Sequence, residues 1–67
     1  MELSARNQLR GTVKQVRTEG IMAEVVIDLG GQEVVATITK ASADRLKLKK
    51  GDAAVAIIKA SDVLVGK

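Results

Sequence analysis

The segment Ala53-Ala54-Val55-Ala56-Ile57-Ile58 is apolar at every position. It follows the turn signal Gly51-Asp52, and the stretch from Ala53 to Lys59 reads as a strand. A strand sends successive side chains to opposite faces. Ala53, Val55 and Ile57 therefore share one side, and Ala54, Ala56 and Ile58 the other. A chain of 67 residues is one small domain with a single interior. The second apolar face calls for cover, and contact between subunits is the natural one; the alternative is a scattering of exposed Ala and Val that needs none.

Size points the same way. So short a chain buries only about 60% of its unfolded surface. Domains of this length are usually held together by disulfides, a structural metal or neighbouring subunits. The chain has no Cys and no His, so a disulfide and a zinc site of the usual ligands are both excluded. Self-association remains. No ring contributes to the core either, because Phe, Tyr and Trp are also absent.

These absences remove chemistry as well. Without Cys or His there is no nucleophile–base pair of the familiar kinds. The carboxylates, Glu24 and Asp28 among them, are scattered singly and form no evident acid–base pair, so an enzyme is not expected. No base can stack on an aromatic ring, which argues against sequence-tolerant single-strand binding. The net charge of +3 favours anionic partners mildly, but acids are interspersed among the bases. The densest basic cluster, Lys47, Lys49 and Lys50, sits beside a turn and reads as solvated surface. The start of the chain lacks the apolar core of a signal peptide. No apolar run approaches the roughly 20 residues of a membrane span. A cytoplasmic protein with no membrane or nucleic-acid partner is expected.

Glycine punctuates the chain at Gly20, Gly30-Gly31 and Gly51. Leu9 to Arg17 alternates apolar and polar residues until the phase shifts at Val16, and Gly11 adds to the suggestion of a bend or bulge. Ile21 to Leu29 is the clearest strand, with Ile21, Ala23, Val25, Ile27 and Leu29 on one face. The Gly doublet leads into a third strand, Glu33 to Thr39, in which Val34, Ala36 and Ile38 oppose Val35, Thr37 and Thr39. Lys40 to Leu48 loses the two-residue period and reads as one short helix capped by Thr39 or Ser42. A last strand is expected over about Asp62 to Val65. The order is β-β-β-α-β-β: an all-β fold with one short helix, a closed or partly open OB-like five-stranded barrel.

Three short polar clusters adjoin these strands: Ser4-Ala5-Arg6-Asn7-Gln8, Thr39-Lys40-Ala41-Ser42 and Lys59-Ala60-Ser61. Each offers hydrogen-bond donors, and none contains a carboxylate. Donors without acceptors suit a fully deprotonated tetrahedral oxyanion, whose oxygens only accept. The helix start near Thr39 adds backbone N–H groups. A partly protonated phosphate would need an acceptor for its proton. The pattern therefore favours molybdate, tungstate or sulfate, with size separating the first two from the third. Each cluster taken alone also fits ordinary caps and surface cations.

Ser4-Ala5-Arg6-Asn7-Gln8-Leu9-Arg10-Gly11 closely resembles the opening of the molybdenum-pterin-binding (Mop) domains, the molbindins. Met22-Ala23-Glu24-Val25-Val26, Ala36-Thr37-Ile38-Thr39, Gly51-Asp52 and Ala56-Ile57-Ile58-Lys59-Ala60-Ser61-Asp62-Val63 continue the resemblance in order over nearly the whole chain. It implies a single Mop domain over residues 1–67, of the free-standing type. It also implies OB-like subunits that bind molybdate or tungstate without catalysis, and a homohexamer built as a trimer of dimers with oxyanions between subunits. By position, Ser4, Ala5 and Arg6 match one anion-contacting segment, and Lys59, Ala60 and Ser61 a second. Thr39 and Ser42 match the Thr-x-x-Ser pair that completes such a pocket from a neighbouring subunit. Asn7 and the backbone of Ile21, Met22 and Ala23 are candidates for a second oxyanion site near the symmetry axes. No pterin is expected, since no aromatic residue could stack on its ring. The implied role is intracellular molybdenum storage and homeostasis. The alternatives are a nucleic-acid-binding OB-type module and a purely structural oligomerisation domain.

Overall fold

The computed structural model describes residues 4–67 and contains one antiparallel sheet, curled into a half-barrel. Its strands are β1 (Asn7–Glu19), β2 (Met22–Asp28), β3 (Glu33–Thr39) and β4 (Ala53–Ile58), in the order β3-β2-β1-β4. A helix, α1 (Lys40–Arg45), follows β3, and a 3-10 turn (Ala60–Asp62) follows β4.

The long β1 organises the molecule. Its first half, Asn7 to Thr12, pairs with β4, and its second half, Thr12 to Glu19, pairs with β2. The handover requires a sharp change of direction, and two residues permit it. Gly11 lies where β2 ends against β1: a β-carbon there would stand 2.4 Å from the Asp28 carbonyl oxygen and 2.7 Å from Ile27 Cγ2. Lys14 is the extra residue of a β-bulge, because Val13 pairs with Ile27 and Gln15 already with Val26. The bulge resets the alternation, so Val13 and Val16 both face the interior despite their odd spacing. This is the phase shift read at Val16.

The core is small. Val13, Val25, Ile27 and Ala56 form its buried centre, with Val16, Leu29, Val34, Ile38, Leu48 and Ala54 packed around them. On β4 the inner face is Ala54, Ala56 and Ile58, while Val55 and Ile57 stay 40% and 43% exposed on the outer face. Both faces are apolar and only one is covered within the chain. Outside the core, Lys14 reaches from the bulge to Glu33 at the start of β3, and Arg17 pairs with Glu24 at 3.8 Å. The hydrogen bond and charge of Glu33 hold the Lys14 ammonium above the usual lysine range.

α1 is well terminated at both ends although it has only six residues. Thr39 caps its start, with Oγ1 accepting from the Ser42 N–H at 3.1 Å. At its end, the N–H of Leu48 donates to Ala43 O at 3.1 Å and that of Lys47 to Asp44 O at 3.0 Å. That bonding is a Schellman motif, and it places Lys47 in the left-handed region at φ 53°. Glycine takes that conformation without a β-carbon penalty of about 1–2 kcal/mol. Lys47→Gly is therefore expected to stabilise the fold by about 1 kcal/mol, less what glycine loses in unfolded-state entropy. A higher urea midpoint at unchanged m-value is the expected reading; a lower one contradicts the assignment.

The expected fifth strand does not form. Among the described residues the chain makes the 3-10 turn at Ala60–Asp62, and Val63 to Val65 then run on without a ladder partner. Leu64 and Val65 are each 94% exposed. The local signal for a strand is present, but a strand also needs a neighbour, and among the described residues no strand is paired to this segment. The fold is the expected all-β, OB-like one with a single short helix, partly open, and with four strands rather than five among the described residues. Among the described residues no helix is long and apolar enough to cross a membrane.

Candidate functional site

The polar clusters sit at the two ends of β1. At its start, Asn7 is the last residue paired with β4, opposite Ile58, and its Nδ2 donates to the Ile58 carbonyl at 3.1 Å. One residue beyond that pair, the two chain segments read Arg6 and Lys59. The β1–β4 ladder thus brings Ser4–Arg6 alongside Lys59–Ser61, segments more than fifty positions apart in the sequence. Ala5 is buried at 9% exposure and anchors the first segment. Ser4, Arg6, Lys59, Ala60 and Ser61 are exposed. Among the described residues, neither Arg6 nor Lys59 takes part in an ion pair. This end carries two cations and two hydroxyls with no carboxylate bonded to them.

Thr39 and Ser42 lie at the other end. Thr39 pairs with Met22, and Ala23 pairs with Ile38. The Lys40 N–H donates to the Ile21 carbonyl at 2.8 Å, tying the β2 entry to the helix start. The Thr39 hydroxyl donates to Ser42 Oγ at 2.8 Å, and Arg45 Nη2 donates to the same oxygen at 3.4 Å. Arg45 was not among the residues read from the sequence. Its spacing of three from Ser42, which puts both on one helix face, is the signal that marks it.

The structure brings Ile21, Met22, Ala23, Thr39 and Ser42 together but leaves Asn7 apart from them, since Met22 pairs with Glu19 at the far end of β1. Ala23 is 1% exposed, so within the single chain neither its side chain nor its backbone is open to a ligand. A groove of about 580 Å³ runs beside Thr39, lined by Gly20, Ile21, Lys40, Ala41 and Asp44. Asp44 places a carboxylate near a cluster that holds none in its own sequence. The acid is one helical turn along from Lys40, on a different face from Ser42 and Arg45. Among the described residues no group of three or more potential metal ligands occurs.

The two clusters adjoin opposite ends of β1. Asn7 pairs with Ile58 of β4, whereas Glu19 pairs with Met22 of β2, which in turn pairs with Thr39 of β3. One end carries cations with hydroxyls, the other a hydroxyl pair with a guanidinium.

The profile of the TOBE domain family matches residues 3–65. A protein described as a probable molybdenum-pterin-binding protein from Haemophilus influenzae is 45% identical over 98% of this chain and 97% of its own length. The chain is a TOBE domain of the molybdenum-pterin-binding family. As a TOBE domain it also aligns with part of a larger relative, spanning 24% of the molybdenum transport protein ModE of Herbaspirillum seropedicae at 42% identity. Among solved structures, the molybdate-binding protein from Sporomusa ovata superposes with a TM-score of 0.95, at 42% identity and with both chains fully covered. The cytoplasmic molybdate-binding protein ModG, solved with molybdate bound, gives a TM-score of 0.90 at 46% identity, over 96% of this TOBE domain and 46% of that chain.

Proposed function

We propose that this TOBE domain binds molybdate or tungstate reversibly, without catalysis, in pockets shared between copies of the chain, and so holds molybdenum in the cytoplasm. The observation that supports the reading is that the two polar clusters adjoin opposite ends of β1. In this reading a pocket that contains both draws them from two copies of the chain. Ser4, Arg6, Lys59 and Ser61 come from one subunit, with the Ala5 and Ala60 backbone between them, and Thr39 and Ser42 from its neighbour. Arg6 acts as a planar fork and Lys59 as a point charge. The names of the relatives and of the solved neighbours support molybdate as the anion. ModG's description supports the cytoplasmic setting.

The uncovered apolar surface supports assembly: the outer face of β4 and the Val63–Val65 tail both lack cover. We take the assembly to be a homohexamer, a trimer of dimers. Asn7 of one copy and the Ile21–Ala23 backbone of another contribute a second oxyanion site. No pterin is bound in this reading, because the chain has no aromatic ring to stack on it.

Cations gathered at a subunit contact repel one another when the pocket is empty. At about 4 Å and an effective dielectric of 20, a pair costs about 4 kcal/mol. A dianion reverses the sign, so ligand should stabilise the assembly by mass action, by about 2.7 kcal/mol at one hundred times its dissociation constant. Native mass spectrometry with and without molybdate tests both parts. The expected result is a six-chain species that gains molybdate in discrete steps and melts at higher temperature when loaded. A monomer that takes up no molybdate would end the proposal.

A further inference from the structure

Ser42 Oγ accepts two hydrogen bonds, from the Thr39 hydroxyl at 2.8 Å and from Arg45 Nη2 at 3.4 Å. A serine hydroxyl has one proton to donate and two lone pairs to accept with. With both lone pairs engaged, its proton has one role left, which is to donate outward. Thr39 Oγ1 has its own proton committed to Ser42 and accepts the Ser42 N–H at 3.1 Å. Ser42 therefore offers a ligand a committed donor, where an isolated serine could switch to accepting, and the acceptor capacity of the pair is cut to one lone pair on Thr39 Oγ1. Among the described residues Arg45 makes no ion pair, so its charge is not neutralised by a bonded carboxylate.

We propose that Arg45 is a positioning residue that sets anion specificity: by occupying Ser42 Oγ it forces the Ser42 hydroxyl to donate, so the pocket accepts a fully deprotonated dianion and disfavours one that carries a proton. The inference rests on the reading that Thr39 and Ser42 face the anion. A hydrogen phosphate oxygen bearing a proton needs an acceptor, and with Arg45 in place Ser42 is not one. Without Arg45, a lone pair of Ser42 is released and the hydroxyl can turn to receive that proton.

Calorimetric titration of the assembled protein with molybdate, sulfate and inorganic phosphate tests this. Arg45→Gln is expected to weaken molybdate binding by roughly tenfold and to weaken phosphate less, so the molybdate-to-phosphate ratio falls. Arg45→Lys, which keeps the charge and a donor, should recover part of that ratio. In a Ser42→Ala background Arg45→Gln should change neither affinity, because its target is gone. An unchanged ratio in Arg45→Gln, or an undiminished effect in the Ser42→Ala background, overturns the role assigned to Arg45 and leaves molybdate binding standing. Wild-type protein that takes up no molybdate overturns the underlying functional reading instead.

Discussion

Replacing Arg6 and Lys59 together by alanine is expected to weaken molybdate binding by about three orders of magnitude while the sheet stays folded. A hydrogen bond to a charged group is worth about 1.5–3 kcal/mol, and each cation is assigned at least one to the dianion. Two such losses, about 3–6 kcal/mol, correspond to roughly a hundredfold to ten-thousandfold in affinity. The fold does not depend on either side chain. Both are exposed, and neither takes part in an ion pair among the described residues. The unliganded variant has a further expected sign. If these cations crowd one another in the empty assembly, removing them raises the melting temperature of the ligand-free protein and abolishes its rise with molybdate. Titration calorimetry and thermal melts on the same samples read both effects. A variant that loads molybdate at wild-type affinity shows that the pocket lies elsewhere.

Gly11→Ala is expected to cost about 3 kcal/mol or more, enough to remove most of the stability of so small a domain. The added carbon would meet the Asp28 carbonyl oxygen at 2.4 Å, Ile27 Cγ2 at 2.7 Å and Leu29 Cδ2 at 3.0 Å. The first of these is backbone and cannot rotate away. Relief requires β2 to shift against β1 at the point where β1 passes from β4 to β2. Gly20→Ala is the control: its β-carbon meets nothing within 4 Å, and only its φ of 60° opposes the change. The cost there should be about 1–2 kcal/mol. Urea denaturation of the two variants separates them. A Gly11→Ala midpoint equal to that of wild type means that the close approach of β2 to β1 is not a feature of the folded protein.

Much of the architecture was legible because it is local. Alternation over Ile21–Leu29 and Glu33–Thr39 marks β2 and β3 within a residue or two at each end. The phase break before Val16 is the bulge at Lys14, since one inserted residue is what turns a two-residue period out of step. Thr39 as cap follows from a hydroxyl placed three residues before the next N–H that lacks a partner. The helix ends three residues earlier than expected, at Arg45, because Lys47 enters the left-handed region and closes a C-terminal motif that no residue type announces.

The site was legible in its parts but not in its geometry. Ser4, Arg6, Lys59 and Ser61 stand out as donors near strand ends, yet their adjacency depends on the register of β1 against β4. Arg45 does not stand out in the sequence, because its bond to Ser42 exists only once both lie on one face of α1. Nor does Asp44, whose nearness to Thr39 depends on how α1 turns back over the β2–β3 end.

By itself the amino-acid order determined the strand periods, the bulge, the helix cap, the absence of thiol, imidazole and ring chemistry, and the surplus of apolar surface that calls for a partner. Each of these is a property of residue type at short range. Tertiary structure alone decided that the two polar clusters adjoin opposite ends of β1, that Gly11 has no room for a side chain, and that the Val63–Val65 segment has no ladder partner among the described residues. These follow from which distant segments pair and in what register, and many registers share the same local pattern until packing selects one.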